Sequence, residues 1–440
     1  MSFGITHQSL RATRLAAIAT LSSAALLGPV SAGAQDIGAD IAKAFQEGKF
    51  NVGFRYRYEG VEDDNPAFDA PGFDDQANAS TLRSRLTYQS GAYENFSVLI
   101  EMDDLRPVGD DDYNSTRNGK TNRPVVADPE ATDLNQAYIK YAGIAGTDLI
   151  IGRQRIVRGN ERFIGPVGWR QNEQTFDAAS VNYKFSDKLQ VYYAYVDQVN
   201  RVFGPDTGTP PADLTGQTHL FDVNYTFSPV AKLTAYGYFI DLEEAQLLSS
   251  QTLGLRLAGE FRVNDQWSVP YAVEYASQEE FGARENLSYD ASYDADYYLI
   301  EAGVKWKNVT ARLAYEVLEG SENPNEAFQT PLATGHAFQG WADKFLTTPN
   351  GGIEDLFLVV DINALGGNIK VRYDDFQSET GQNSLSPDDY GDEIGIWATW
   401  PFAKFYSVGV KYANFSADSE STSPALQDTS KFWVILSANF

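Results

Sequence analysis

The chain has 440 residues, no cysteine, 25 Tyr, 26 Phe and a formal charge of −26. Without cysteine no disulfide can staple it, and so acidic a chain does not suit nucleic acid, whose phosphates need Lys and Arg. After residue 34 there is no uninterrupted apolar run long enough for a transmembrane helix, so none is predicted.

The first 34 residues read as a secretory signal. His7, Arg11 and Arg14 form a basic start, Leu15 to Leu27 is a short apolar run, and Ala32-Gly33-Ala34 offers small residues at a cleavage site. Gln35 is then the first mature residue. Residues 35–48 form a short periplasmic segment, with a helix predicted from Ile37 to Gly48.

From residue 49 to 440 the apolar period is two. In a membrane strand that period sends greasy side chains to lipid and polar ones to the lumen. In the first strand Val52, Phe54, Tyr56 and Tyr58 oppose Arg55, Arg57 and Glu59. In the second, Leu82, Leu86 and Tyr88 oppose Arg83 and Arg85; in the third, Phe96, Val98, Ile100 and Met102 oppose Glu101 and Asp103. The rhythm recurs often enough to give eighteen candidate strands. Short connections, such as Ser90–Asn95 and Lys307–Asn308, alternate with long acidic or Gly/Pro-rich ones, such as 104–133, 156–174 and 318–355. The fold class expected is therefore all-β: an 18-stranded antiparallel transmembrane β-barrel with short periplasmic turns and long extracellular loops. Closure is required because hydrocarbon offers no partner to an unpaired backbone group. Tyr56, Tyr58, Trp267, Tyr275, Trp306, Tyr315, Trp400 and Tyr412, near strand ends, read as interfacial girdles. The last strand, Lys431 to Phe440, alternates and ends on Phe, a pattern that resembles the closing strand of outer-membrane barrels. That resemblance implies recognition of Phe440 by the barrel-assembly machinery.

The lumen face on this register carries Arg55, Arg57, Arg83, Arg85, Lys140, Lys184, Arg256, Lys305, Arg312, Lys370, Arg372, Lys411 and Lys431. Against them stand Glu59, Glu101, Asp103, Asp222, Glu274, Glu301, Glu316, Asp361, Asp374 and Glu393. Bases are concentrated inside and acids in the loops, so the wall either pairs its charges across strands or favours anions. The third long loop is the densest basic stretch, with Arg153, Arg155, Arg158, Arg162 and Arg170. Folded into the lumen, it would make a constriction of guanidinium forks suited to carboxylates, uronates included. The run Leu149-Ile150-Ile151 leaves open which of these arginines faces inward.

Two stretches carry a family resemblance: GRQRIVRGNERFIGPVGWRQNEQTFDAASV, Gly152 to Val181, and TPLATGHAFQGWADKFLTTPNGGIEDL, Thr330 to Leu356. Both resemble the alginate-export family of outer-membrane proteins, as does EGKFNVGFRYRYEGV, Glu47 to Val61. The resemblance implies a monomeric barrel in the Gram-negative outer membrane with a basic, anion-selective path for an acidic polysaccharide. Arg55, Arg83, Arg153, Arg155 and Arg170 are the positions it carries over. The function expected is a passive, porin-like channel for anionic solutes or an acidic polysaccharide such as alginate, without cofactor or catalytic residue. Its expected partners are membrane lipid and lipopolysaccharide.

Two other classes of function compete with this reading. A barrel-borne hydrolase would use His336, in a loop with Trp341, Asp343 and Lys344, and would need a hydroxyl nucleophile aligned with the imidazole. A structural or adhesion barrel would bind calcium in acidic loops, with Asp110, Asp111 and Asp112 as the weak candidate site.

Overall fold

The computed structural model describes residues 34–228, 230–288, 291–381, 387–419 and 426–440, with the backbone alone for 34–36. The predicted signal lies, but for Ala34, outside the described residues. Eighteen strands form one closed antiparallel sheet. They are β1 (Lys49–Asp63), β2 (Gln76–Gln89), β3 (Phe96–Asp112), β4 (Ala131–Tyr141), β5 (Thr147–Gln154), β6 (Thr175–Lys184), β7 (Leu189–Asn200), β8 (Asp213–Ser228) and β9 (Ala231–Ile240). The circuit continues with β10 (Ser250–Arg262), β11 (Trp267–Glu280), β12 (Asp294–Trp306), β13 (Val309–Leu318), β14 (Ile353–Ala364), β15 (Gly367–Gln377), β16 (Asp389–Phe402), β17 (Tyr406–Ala417) and β18 (Thr429–Asn439). Each strand pairs with its chain neighbours, and β1 closes the ring by pairing with both β2 and β18, Phe54 lying opposite Ser84 and Ala438. Among the described residues no strand is left with an open edge.

The period of two selects the faces. Phe54, Leu86, Ile100, Met102, Ile139 and Ile151 are exposed on the outside, whereas Arg57, Glu59, Glu101 and Asp103 on alternate positions are buried inside. Each large outward side chain is worth about 2 kcal/mol when lipid replaces water around it. Trp267 and Trp306 stack at the short-turn end, their centroids 5.8 Å apart, while Tyr275 lies eight residues up β11. Eight residues at ~3.3 Å each and a tilt of ~40° place the girdles ~20 Å apart, near the height of a membrane band.

A helix, α1 (Ala34–Gln46), precedes β1 where a periplasmic helix was expected. Phe45 stacks on Tyr88, and the Tyr88 hydroxyl donates to the Phe45 carbonyl at 2.7 Å. Tyr88 lies on the lipid face of β2, so α1 docks on the outside of the wall at its short-turn rim.

The lumen is not the open polar channel that strict alternation implies. Two long connections turn inward: residues 155–174, between β5 and β6, and residues 319–352, between β13 and β14. With walls between β6 and β17 they build an apolar core inside the barrel, including Phe163, Ile164, Tyr236, Tyr297, Phe328 and Leu332. Inward Tyr192, Leu220 and Tyr238 pack in this core, so β7, β8 and β9 carry apolar side chains on their lumen face as well as on their lipid face.

Candidate functional site: the internal constriction

The two inward segments are held to each other first. Ile164 and Leu332 form a parallel bridge, with Gly165 N donating to Leu332 O at 2.9 Å. The Gln174 amide donates to the carbonyls of Gly165 (2.9 Å) and Leu332 (3.1 Å), closing the first segment on the second. Gly152 lets β5 turn inward: its φ is +126°, and a Cβ there would strike the Ala137 carbonyl and Tyr138. At the opposite wall the Glu393 carboxylate accepts from the backbone N–H groups of Trp341 and Ala342, the latter at 2.9 Å.

The β1–β2 wall grips the strip Val167–Gln174. Arg55 donates from Nε to Gln171 Oε1 (2.8 Å) and from Nη1 to Gly168 O (3.0 Å), and it also bonds Arg170 O. Arg83 donates to Gln171 O at 3.2 Å. Arg85 forms a fork on Asp103 (2.7 and 2.6 Å) and reaches Glu173 at 2.8 Å. Beneath the strip, toward the short turns, lies a chamber of about 360 Å³ whose charged lining is Arg55, Arg83, Arg85 and Glu101. Above it, toward the long loops, lies a cavity of about 650 Å³ bordered by Val167, Arg170 and Gln174.

Other arginines expected on the path stand elsewhere. The third long loop does enter the lumen, but its guanidinium groups are occupied by carboxylates. Arg155 pairs with Glu173 (2.8 Å) and Glu101 (3.2 Å), Arg158 with Asp222 (2.6 Å) and Arg162 with Glu316 (2.9 Å). Arg170 pairs with Glu59 (3.2 Å) and Asp343 (3.4 Å). Arg57 is buried behind the strip with Glu59, 4.6 Å beneath the Trp169 ring, and Arg372 is buried with Asp374 and Asp355. Neither can line a path. Arg153 is a correction: in register with Ala137 and Asp177 it takes the outer side of the wall, that of Ile139 and Ile151. It pairs there with Asp177 at 2.7 Å. Of the remaining inward positions, Arg256 pairs with Glu274, Arg312 with Asp361 (2.8 Å), and Lys140 with Asp148 (2.8 Å) near a short turn. Glu301 faces the lumen from β12.

His336, Trp341, Asp343 and Lys344 all lie in the 319–352 segment and act as its fastening. His336 Nδ1 lies 2.6 Å from Asp343 Oδ1, and Lys411 Nζ lies 2.6 Å from Nε2. The imidazole stacks on Trp169 at 4.3 Å. Burial pushes it down to about 3, against the pull of Asp343, so it is neutral: Nδ1–H donates to Asp343 and Nε2 accepts from Lys411. Lys411 sits 3.9 Å over Trp341 and 4.2 Å over Trp169. Lys431 bonds the second Asp343 oxygen at 2.9 Å, and Lys344 reaches Asp63 at 3.3 Å. The Lys411 amino group therefore occupies the nitrogen where a hydrolase would hold its nucleophilic hydroxyl. Asp110, Asp111 and Asp112 end strand β3 rather than forming a loop, and Lys120 lies 3.0 Å from Asp111. Among the described residues no three His, Asp or Glu side chains gather in a way that could hold a metal ion.

Sequence reasoning missed Trp169, Gln171 and Glu173 as individual contacts, although all three lie in the motif Gly152 to Val181. It missed Asp128, which accepts from Gln171 N at 2.9 Å, because nothing in its neighbourhood marks it out.

Solved structures share this architecture. OccAB4 of Acinetobacter baumannii is 14% identical with a TM-score of 0.67, over 90% of this chain and 98% of that one. OccK9 (OpdG) of Pseudomonas aeruginosa is 12% identical with a TM-score of 0.67, over 90% and 99%. OpdK of Pseudomonas aeruginosa, solved with vanillate, is 13% identical with a TM-score of 0.64, over 90% and 99%. At such identities the likeness establishes the fold. No curated protein sequence matches. The family described as alginate export matches residues 48–340, from the first strand through the core of the second inward segment. The protein is a Gram-negative outer-membrane β-barrel channel, and the chain belongs to the alginate export family.

Proposed function

We propose that the barrel is a passive channel with a mild anion preference, passing carboxylate-bearing solutes, with acidic sugars as its substrate class. The observation that carries this reading is the chamber beneath the strip: Asp103 and Glu173 hold Arg85, and Glu173 lies near Arg83, but Arg55 has no carboxylate within 4.0 Å and leaves the lining with an excess of positive charge. In a low-dielectric wall such an excess focuses the field and raises the local concentration of anions. Planar guanidinium forks suit carboxylates better than they suit halide. The family's description points to alginate, an acidic polysaccharide. The vanillate solved with OpdK is also a carboxylate. The many pairs that pin the strip favour a narrow, fixed constriction over a wide aqueous bore. The test is the zero-current potential of the reconstituted protein across a potassium chloride gradient. The reading expects the sign of chloride preference; clear potassium preference would reject it.

A further inference from the structure

The cavity of about 650 Å³ on the long-loop side lies above the constriction and takes no part in the reading just given. Its wall includes Arg117, from the connection between β3 and β4, and Arg201 with Phe203, from the connection between β7 and β8. Most described arginines have a carboxylate within 4.0 Å; Arg55, Arg117, Arg201 and Arg284 do not. Arg55 and Arg284 spend their forks on three partners each. Arg117 is likewise held, by Asp206 O (3.1 Å), Pro210 O (2.7 Å) and the Thr116 carbonyl and hydroxyl. Arg201 is different. One bond, to Pro211 O at 3.3 Å, is recorded for a guanidinium with five N–H donors.

We infer that Arg201, with Arg117 and Phe203, forms a docking site at the loop-side mouth for a small carboxylate with a non-polar face, of the size of one or two sugar rings. The volume falls within the range of small-molecule sites. The donors of Arg201 match a carboxylate bidentately. Phe203 fixes both cations by their faces, Arg201 at 4.6 Å and Arg117 at 5.7 Å from its centroid, and Val125 and Pro210 add apolar wall. Burial, and after it the repulsion of Arg117, bring Arg201 down to about 10. A bound anion would relieve both penalties. The site deepens the anion-channel reading and rests on it, placing a first contact before the Arg55–Arg83 wall.

The test uses the full barrel in a planar bilayer, with sodium D-galacturonate as probe and galactose as neutral control, each added from the loop side. Galacturonate is expected to block the current and galactose not. Arg201→Gln should raise the half-blocking concentration about tenfold, the effect of one lost charge-assisted fork. It should shift the potassium chloride zero-current potential less than loss of Arg55 and Arg83 does. Arg201→Lys should recover part of the block. An unblocked wild type, equal block by galactose, or the same half-blocking concentration in Arg201→Gln would each overturn the site. Potassium preference in a wild type that galacturonate still blocks through Arg201 would reject the anion-channel reading and leave the site standing.

Discussion

Glu173 is where the inner strip, the β1–β2 arginines and the chamber charge all meet, and its neutral isostere tests the three together. Its carboxylate takes Arg85 at 2.8 Å and Arg155 at 2.8 Å, with Arg83 at 3.8 Å. Burial alone would raise this carboxyl; Arg85, Arg155 and Arg83 outweigh it and hold it at about 2, against an ordinary 4.5. A shift of that size corresponds to ~3 kcal/mol favouring the charged, docked form. Glu173→Gln keeps the volume and an acceptor but removes that stabilisation and leaves the chamber with one more uncompensated cation. At ~6 Å through water, a unit charge changes an anion's energy by ~0.7 kcal/mol, about threefold in occupancy. Single-channel recording in 0.1 M potassium chloride should show chloride over potassium permeability raised by about tenfold, because potassium loses what chloride gains, and a noisier open state as the strip loosens. The folded carboxyl is depressed, so its contribution is complete above about pH 4.5 and is lost as pH falls toward 2. Wild type at pH 3 should therefore begin to show the same noise. An unchanged permeability ratio with a quiet current would refute both the position of the strip and the charge reasoning.

Two further perturbations address the second inward segment. Gly395 faces the Trp341 ring so closely that a Cβ would collide with it. Gly395→Val should displace Trp341 and widen the pore, read as a larger unitary conductance with the barrel still folded; an unaltered conductance would mean that Trp341 does not set the bore. His336 is neutral when buried and held at about 3, below its free value of 6.5. Once the segment is released His336 takes up a proton more readily, so its contribution is whole above pH 6.5 and falls away between there and 3. Limited proteolysis between Thr330 and Leu356 should be several-fold faster at pH 4.5 than at pH 7, and His336→Gln should flatten that difference. A difference that survives intact in the variant would assign the pH response to other groups.

The wall was legible in the sequence because a barrel writes its geometry at a fixed period. Phe54 against Arg55, and Ile100 against Glu101, need no tertiary information to be assigned to lipid or lumen. Eight short and nine long connections alternate as expected from a chain with both ends on one side. The interior was less legible, for two physical reasons. Charge in the lumen is a property of pairs, and nothing in the spacing of Arg158 or Arg162 reveals that Asp222 and Glu316 lie opposite them. Residues that cover an inward segment break the alternation, so Tyr238 and Tyr297 read as ordinary strand aromatics rather than as core. Arg153 failed for a local reason: Leu149, Ile150 and Ile151 offer both faces of β5 to lipid, and the register with β4 and β6 decides between them. Arg201 carries no sequence signal at all. What distinguishes it is the lack of a carboxylate partner, with one bond to Pro211 O for its five donors, which appears once the surrounding loops are in place.

The most direct measurement is the zero-current potential of Arg55→Gln/Arg83→Gln beside that of Asp110→Asn/Asp111→Asn/Asp112→Asn. Arg55 and Arg83 line the chamber, whereas the three aspartates end β3 away from it. The chamber account predicts that the arginine pair abolishes or reverses chloride preference and that the aspartate triple scarcely moves it. Equal shifts from the two variants would show that selectivity is set by overall charge, and that the Arg55–Arg83 wall is not the path.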